Sequence, residues 1–383
     1  MSRSLACGSV LVALGLAAAC GTSASPTATN GDGGSNGDAG ANPGNGDGGN
    51  QDTNGDGGTN PTGDDGGSST TDGGSGSCAS CPTGFACETG GTVCKSNGVP
   101  AFGNVYLIVE ENHSYATVKG ATYIASLIAD NASASNYMDS LVHPSLPNYL
   151  TLTSGSNQGI TCDCQAGNAG GGTCPGSCNV IEASACNCAQ PTTVANIADR
   201  VEAKGLTWHA YGEDMNAPGC DKDNHGEYVA RHIPFVYYDA IQSSPTRCAN
   251  VVPWTATSFA ADLGKYSYSF IAPNLGDDGH TSYNNVDEVT ATDGWLKTNV
   301  PTITGAPSFK KNGVLFIVWD EGDEALTSTD DHVLLIVISP FATKTVTAAA
   351  YSHTSLLDTI ETGLGLGTPH LTSSTAINDV WKK

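Results

Sequence analysis

Three unbroken apolar runs limit what this chain can fold into: Val105 to Val109, Val314 to Val318 and Val333 to Ile338. None shows the alternation of a strand with one wet face, so each reads as a strand of a parallel sheet, buried on both sides. Helical spacing fills the sequence around them. Over Thr193 to Lys204, Val194, Ile197 and Val201 share one face and Gly205 stops the pattern; over Ser352 to Gly363, Leu356, Leu357 and Ile360 follow a serine cap. Strands alternating with helices predict an α/β fold, one sheet with helices on both faces.

The N-terminal part cannot contribute to that sheet. Residues 1–19 read as a signal peptide, with Arg3, an apolar run from Val10 to Leu16 and small residues Ala17 to Ala19 before Cys20. The run is too short to span a membrane. Small residues directly before a cysteine resemble a bacterial lipobox, which predicts lipid acylation of Cys20 and an exported lipoprotein at the outer membrane or cell surface. An ordinary cleaved signal, giving a periplasmic or secreted protein, is the alternative. From Gly21 to Ser77, 19 of 57 residues are glycine, and lysine, arginine, aromatic and large aliphatic residues are all missing. Such a stretch buries no core, so residues 20–77 are expected to form a disordered tether. Within it Asp52 to Gly57 copies the start of a calcium loop, yet Gly63 stands where a bidentate glutamate is needed.

What remains, about 300 residues, suits one large domain. A small Cys-rich segment at 78–100 precedes a main domain over 101–383. Cys78, Cys81, Cys87 and Cys94 form one cysteine group; Cys162, Cys164, Cys174, Cys178, Cys186 and Cys188 staple a Gly-rich loop at 160–190; Cys220 and Cys248 are left to pair. An even number in an exported chain predicts disulfides, and spacing leaves the connectivity within the first two groups open. The net charge is −23, of which the tether carries −8 and the part from Cys78 onward −16, with Arg3 supplying one positive charge. So acidic a body excludes nucleic acid and anionic membrane surfaces as natural partners, leaving the anchor at Cys20 as the expected membrane contact.

Two of the predicted strands run straight into acids: Glu110-Glu111-Asn112-His113 after the first, Asp320-Glu321-Gly322-Asp323 after the second. Ligands of open α/β sheets bind at the carboxyl ends of strands, and two carboxylate clusters at one edge repel unless a cation lies between them. Either cluster alone would equally suit a solvated loop. Ser145 lies in His143-Pro144-Ser145-Leu146-Pro147-Asn148-Tyr149, where a serine opens a helix and its free N–H groups face a phosphate, or merely caps it. No G-x-S-x-G elbow is present, which argues against a hydrolase triad. His232, His280 and His353 taken singly read as loop or helix-start histidines.

The stretch Val109-Glu110-Glu111-Asn112-His113-Ser114-Tyr115 and the His143 to Tyr149 motif resemble the bacterial and fungal phosphoesterase family of acid phosphatases and nonspecific phospholipases C. Four further stretches match in order: Gly205 to Met215, Arg231 to Phe235, Asp278-Gly279-His280, and Val318 to Asp323. The resemblance covers nearly everything from Phe102 to Leu366. It implies an alkaline-phosphatase-like mixed sheet and one divalent metal ion held by Glu111, Asn112, Ser145, Asp320 and Glu321. It also implies Ser145 as the nucleophile of a phosphate-monoester hydrolase and Asn148, with His232 and His280, as the substrate-binding cradle of the phosphoryl oxygens; the chemistry of the departing oxygen then makes His280 the expected catalytic proton donor. A phospholipase C-type phosphodiesterase is the nearest alternative; a surface-binding module with a vestigial site is one of a different class.

Overall fold

Asn104–Glu110 (β1) is buried at all seven residues, as an apolar run covered on both sides must be. The computed structural model describes residues 78, 80–88, 90–167, 183–325 and 328–383, within the unit Thr71–Lys383. The expected signal peptide, the anchor at Cys20, the tether and its calcium-loop-like stretch lie outside the described residues. Around β1 a nine-stranded sheet assembles from Ala132–Met138 (β2), Trp208–Glu213 (β3), Val251–Trp254 (β4), Tyr268–Ala272 (β5), Gly313–Trp319 (β6), His332–Ile338 (β7), Thr345–Thr347 (β8) and Tyr351–Ser352 (β9). Its order is β8-β2-β7-β6-β1-β5-β3-β4, with β9 also beside β2.

Strands β6, β1, β5, β3 and β4 are mutually parallel. The reading of Val333 to Ile338 as a parallel strand fails, while the mixed sheet implied by the resemblance holds: β7 runs antiparallel to β6, with Leu335 opposite Val318. Among the described residues, the connection between them carries only a short hairpin, Glu324–Ala325 with Ser328–Thr329. A parallel return needs a crossover, usually a helix, and a chain that turns straight back comes home antiparallel. The result is a mixed sheet.

Ring contacts show how the two faces are covered. Tyr106 of β1 packs at 6.1 Å from Phe259 of Ala256–Asp262 and 6.3 Å from Phe309 of Pro307–Asn312. On the opposite face Phe270, paired in register with Leu107, meets Tyr149 of the helix Ser145–Ser154 (α1) at 6.2 Å and Phe235 at 5.4 Å. Helices thus lie on both sides, as the alternation of elements predicts. The helix expected from Thr193 starts later, at Ile197–Ala203 (α2), because the Asn196 side chain accepts the Ala198 and Asp199 N–H groups while Asp199 accepts the Asn196 N–H. His353–Gly363 (α3) begins after Ser352, close to the expected place.

Ahead of the domain, Ala86–Cys87, Cys94–Ser96 and Val99–Pro100 form a three-stranded antiparallel sheet tied by Cys78–Cys87 and Cys81–Cys94. Cys164–Cys188 and Cys220–Cys248 are also bonded, the latter as expected. The pairing of Cys174, Cys178 and Cys186 lies outside the described side chains. Among the described residues no helix is long and apolar enough to cross a membrane.

Candidate active site

The parallel neighbours β6, β1 and β5 end at one edge of the sheet, and backbone pairing continues one step beyond them. Asp320 donates its N–H to the Glu110 carbonyl and Glu111 donates its own to the Asp278 carbonyl, both at 2.9 Å. Glu111, Asp278 and Asp320 are therefore laid side by side, each fully buried. Burial raises all three carboxyls, and the Glu111 charge adds to it for Asp278 and Asp320. Glu111 reaches about 8 even though Tyr149, Arg231 and Ser145 pull it back. Asp278 and Asp320 lie well above the usual carboxylate range, with Glu111 the strongest charge each one feels. Both oxygens of Asp320 make no hydrogen bond among the described residues. A buried carboxyl in that position holds a proton or faces a cation.

Ser145 arrives at the same place from another direction. It is the first residue of α1, after the cis His143–Pro144 bond, and Pro144 occupies the cap position. Its Oγ donates to Glu111 Oε2 at 3.0 Å, while Tyr149, one turn on, donates to Oε1 of the same carboxylate. The serine is thus not a cap. Nor is the helix end open in the way expected: the Leu146 N–H donates to Asp163 Oδ1 at 2.9 Å, and Pro147 has no N–H to offer.

The remaining residues named from sequence cluster around this pair. Asn148 is fully buried; its Nδ2 donates to Glu321 Oε2 at 3.1 Å and its Oδ1 accepts the Ser140 N–H, so its contacts are to the carboxylate and the loop before the helix. Asn112 follows Glu111, half-buried. His232 is 2% exposed and stacked flat on Tyr149 at 5.0 Å, with Nε2 3.1 Å from Glu111 Oε1 and Nδ1 3.2 Å from Asp278 Oδ2. Burial, Arg231 and His280 push its pKa well down, so it sits neutral between the acids. His280 Nε2 accepts from Arg231 Nη2 at 3.2 Å and its Nδ1 meets Thr281 Oγ1 at 3.0 Å. Arg231 is anchored in turn by Asp163, 3.1 Å from its Nε.

Several residues that hold the site were given no role from sequence. His143 Nδ1 lies 3.1 Å from Glu321 Oε2, and its Nε2 3.0 Å from Asp331 and 3.4 Å from Asp139. Burial pulls the His143 pKa down, but Asp139 and Asp331 outweigh it. His353 holds the Asp320 carbonyl through Nε2. Only proximity hinted at these roles: Tyr149 stands one helical turn after Ser145, and Arg231 directly before His232.

Gly322 interrupts the acidic run where the chain passes too close for any side chain. A Cβ there would lie 1.4 Å from the Asp330 carbonyl oxygen. Gly322→Ala is expected to cost about 3 kcal/mol by forcing that loop apart. Urea unfolding beside the parent protein measures it, and an unchanged midpoint would contradict the close approach.

The model of the Phosphoesterase family matches residues 119–367. A phosphatidylinositol-3-phosphatase of Mycobacterium tuberculosis is 26% identical over 291 residues, 75% of this chain and 85% of that protein. An acid phosphatase of Aspergillus fumigatus is 24% identical over 278 residues, 70% of this chain but only 56% of the fungal protein, so the chain spans little more than half the length of that relative. Among solved structures, murine ectonucleotide pyrophosphatase/phosphodiesterase 5 superposes with a TM-score of 0.50 at 12% identity, covering 73% of this chain and all of the other, a likeness of fold alone.

Proposed function

The chain belongs to the Phosphoesterase family, matched over more than half its length, and from that premise we propose that it hydrolyses phosphate monoesters through a phosphoserine formed at Ser145. The observation that carries this reading is the 3.0 Å contact between Ser145 Oγ and Glu111, at the first residue of a helix and beside buried Asp320. The names of the relatives support monoesters over diesters, since both curated relatives above are called phosphatases.

Glu111 has donor atoms within 4.8 Å of those of His232 and Asp278, a spacing that suits a cation beside the Ser145 contact. Glu111, Asn112, Ser145, Asp320 and Glu321 would hold it: three carboxylates, an amide and a hydroxyl, an oxygen donor set suited to such an ion. When bound, the ion lowers the pKa of the coordinated hydroxyl and neutralises charge on phosphate oxygens. The protein's own groups supply the rest. In its ionised form Glu111, whose Oε2 already accepts the Ser145 hydroxyl, takes that proton as Oγ bonds to phosphorus and the ester oxygen departs. His280 donates the proton that the departing oxygen needs. Water then displaces the serine, releasing inorganic phosphate and restoring the hydroxyl. Asn148, through Glu321, and His232, through Glu111 and Asp278, keep the carboxylates in position and stand next to the phosphoryl group.

Burial, then Arg231, pushes the His280 pKa down to about 4. The group that faces it is the Arg231 guanidinium, with His113 and His232 nearby and Thr281 on its other nitrogen. A donor with a depressed pKa carries its proton only in acid, so kcat is expected to fall as pH rises through about 4. His280→Asn is expected to remove that limb and lower kcat by roughly a hundredfold. A pH profile of p-nitrophenyl phosphate hydrolysis with both proteins tests it, and an identical limb in the variant would rule His280 out as the donor.

We also propose export through the N-terminal signal, anchoring at Cys20 and the tether over residues 20–77 as the link to the catalytic domain.

A further inference from the structure

The strand that delivers Glu111 to the site also delivers Glu110 to the opposite face of the sheet. Ile108, Ile271 and Tyr211 are register partners across β1, β5 and β3. Two residues further along their strands, Glu110 and Glu213 project to that same face. Glu110 is fully buried, and neither of its oxygens finds a hydrogen-bond partner among the described residues. The charges it feels most are Asp277, then Glu213. Both of these line a cavity of about 720 Å³.

The wall of that cavity is chemically one-sided. Glu213, Asp214 and Asp277 supply carboxylates, Trp254 and Trp295 supply indoles with centroids 5.6 Å apart, and half-exposed Tyr283 stands at the rim. No lysine, arginine or histidine lines it. A stranded carboxylate beneath an acidic, aromatic wall is stabilised by positive charge from outside the chain. Metal-ligand spacing is found elsewhere: among the described residues, the groups whose donor atoms come within 4.8 Å of one another do not include these acids. The volume is that of a small-molecule site, and aromatic faces with carboxylates suit an alkylated ammonium better than a bare ion.

We propose that this chamber, across the sheet from Ser145, binds a small organic cation, an amine or quaternary ammonium, through Glu213 and Asp277, with Trp254 and Trp295 as its aromatic wall and Glu110 buried behind the two acids. It is a binding site separate from phosphoester hydrolysis. The cation is held by charge at the floor and by rings at the side, so a neutral molecule of the same shape is a poor substitute.

Isothermal titration of the full chain with choline, beside its neutral isostere 3,3-dimethylbutan-1-ol, tests this. Choline is expected to bind, with the isostere weaker by about tenfold or more. Glu213→Gln is expected to weaken choline by about tenfold, and the exposed Asp214→Asn, which leaves the buried acids untouched, by a smaller but measurable factor. Turnover of p-nitrophenyl phosphate is expected to stay at the parent level in both variants. Equal binding of the isostere, choline binding unchanged in both variants, or a response to calcium chloride with none to choline would each overturn the proposal. Should Glu213→Gln fail to fold, the Asp214→Asn titration and the isostere comparison decide it.

Discussion

Ser145→Ala is expected to lower kcat on p-nitrophenyl phosphate by roughly 10⁴-fold or more, with the protein still folded and KM little changed. The size follows from the chemistry: with Oγ gone, no covalent route remains, and the carboxylates around the gap cannot replace an oxygen nucleophile placed at the start of a helix. The survival of the fold follows from the structure. Ser145 makes one side-chain hydrogen bond, to Glu111, and Pro144 rather than Ser145 holds the cap position. Losing that bond costs about 1 kcal/mol, and Tyr149 still donates to the same carboxylate. Near-parental kcat in the variant would remove Ser145 from the mechanism.

The second large effect concerns the cation, and it separates activity from stability. Dialysis against EDTA is expected to lower activity by roughly 10³-fold, with recovery when a divalent metal is returned. Chelation also lowers Tm, because an ion bound only by the folded state stabilises it. Asp320→Asn is expected to abolish activity to a similar degree while raising the Tm of the chelated protein. The sign is set by burial: Asp320 lies among Glu111, Asp139 and Asp278, and the Glu321 backbone offsets them only in part, so without metal it is a liability. Removing such a charge stabilises by about 1–3 kcal/mol. An Asp320→Asn protein less stable than the chelated parent would mean that Asp320 holds the fold and not an ion.

What was legible in the sequence divides along physical lines. Val105 to Val109 and Val314 to Val318 announced buried parallel strands because a strand covered on both faces leaves no polar positions. Val333 to Ile338 looked the same, and composition could not give its direction. That was decided by the 320–331 connection, whose described residues hold a hairpin and no crossover helix. Acids at strand ends were legible for the same reason the strands were: Glu111 and Asp320 follow directly on apolar runs, and parallel neighbours must end at one edge. Their partners were not. Asp163 reaches the Leu146 N–H from a disulfide-bonded loop, His143 bridges Glu321 to Asp139 and Asp331, and His232 is pressed between Glu111 and Asp278. These contacts join segments far apart in the chain, and local pattern carries no trace of them. The helix end at Ser145 shows the difference: spacing gave the helix but not that Asp163 already occupies the N–H left free at Leu146.

The stereochemical course at phosphorus tests the central claim most directly, because it counts displacements without relying on any variant. A chiral, isotopically labelled phosphate monoester, turned over by the parent protein with transfer to an acceptor alcohol, is expected to give product with retained configuration, the sum of one inversion at Ser145 and a second on leaving it. Inverted product would mean that the acceptor attacks the substrate in a single step and that Ser145 is never phosphorylated.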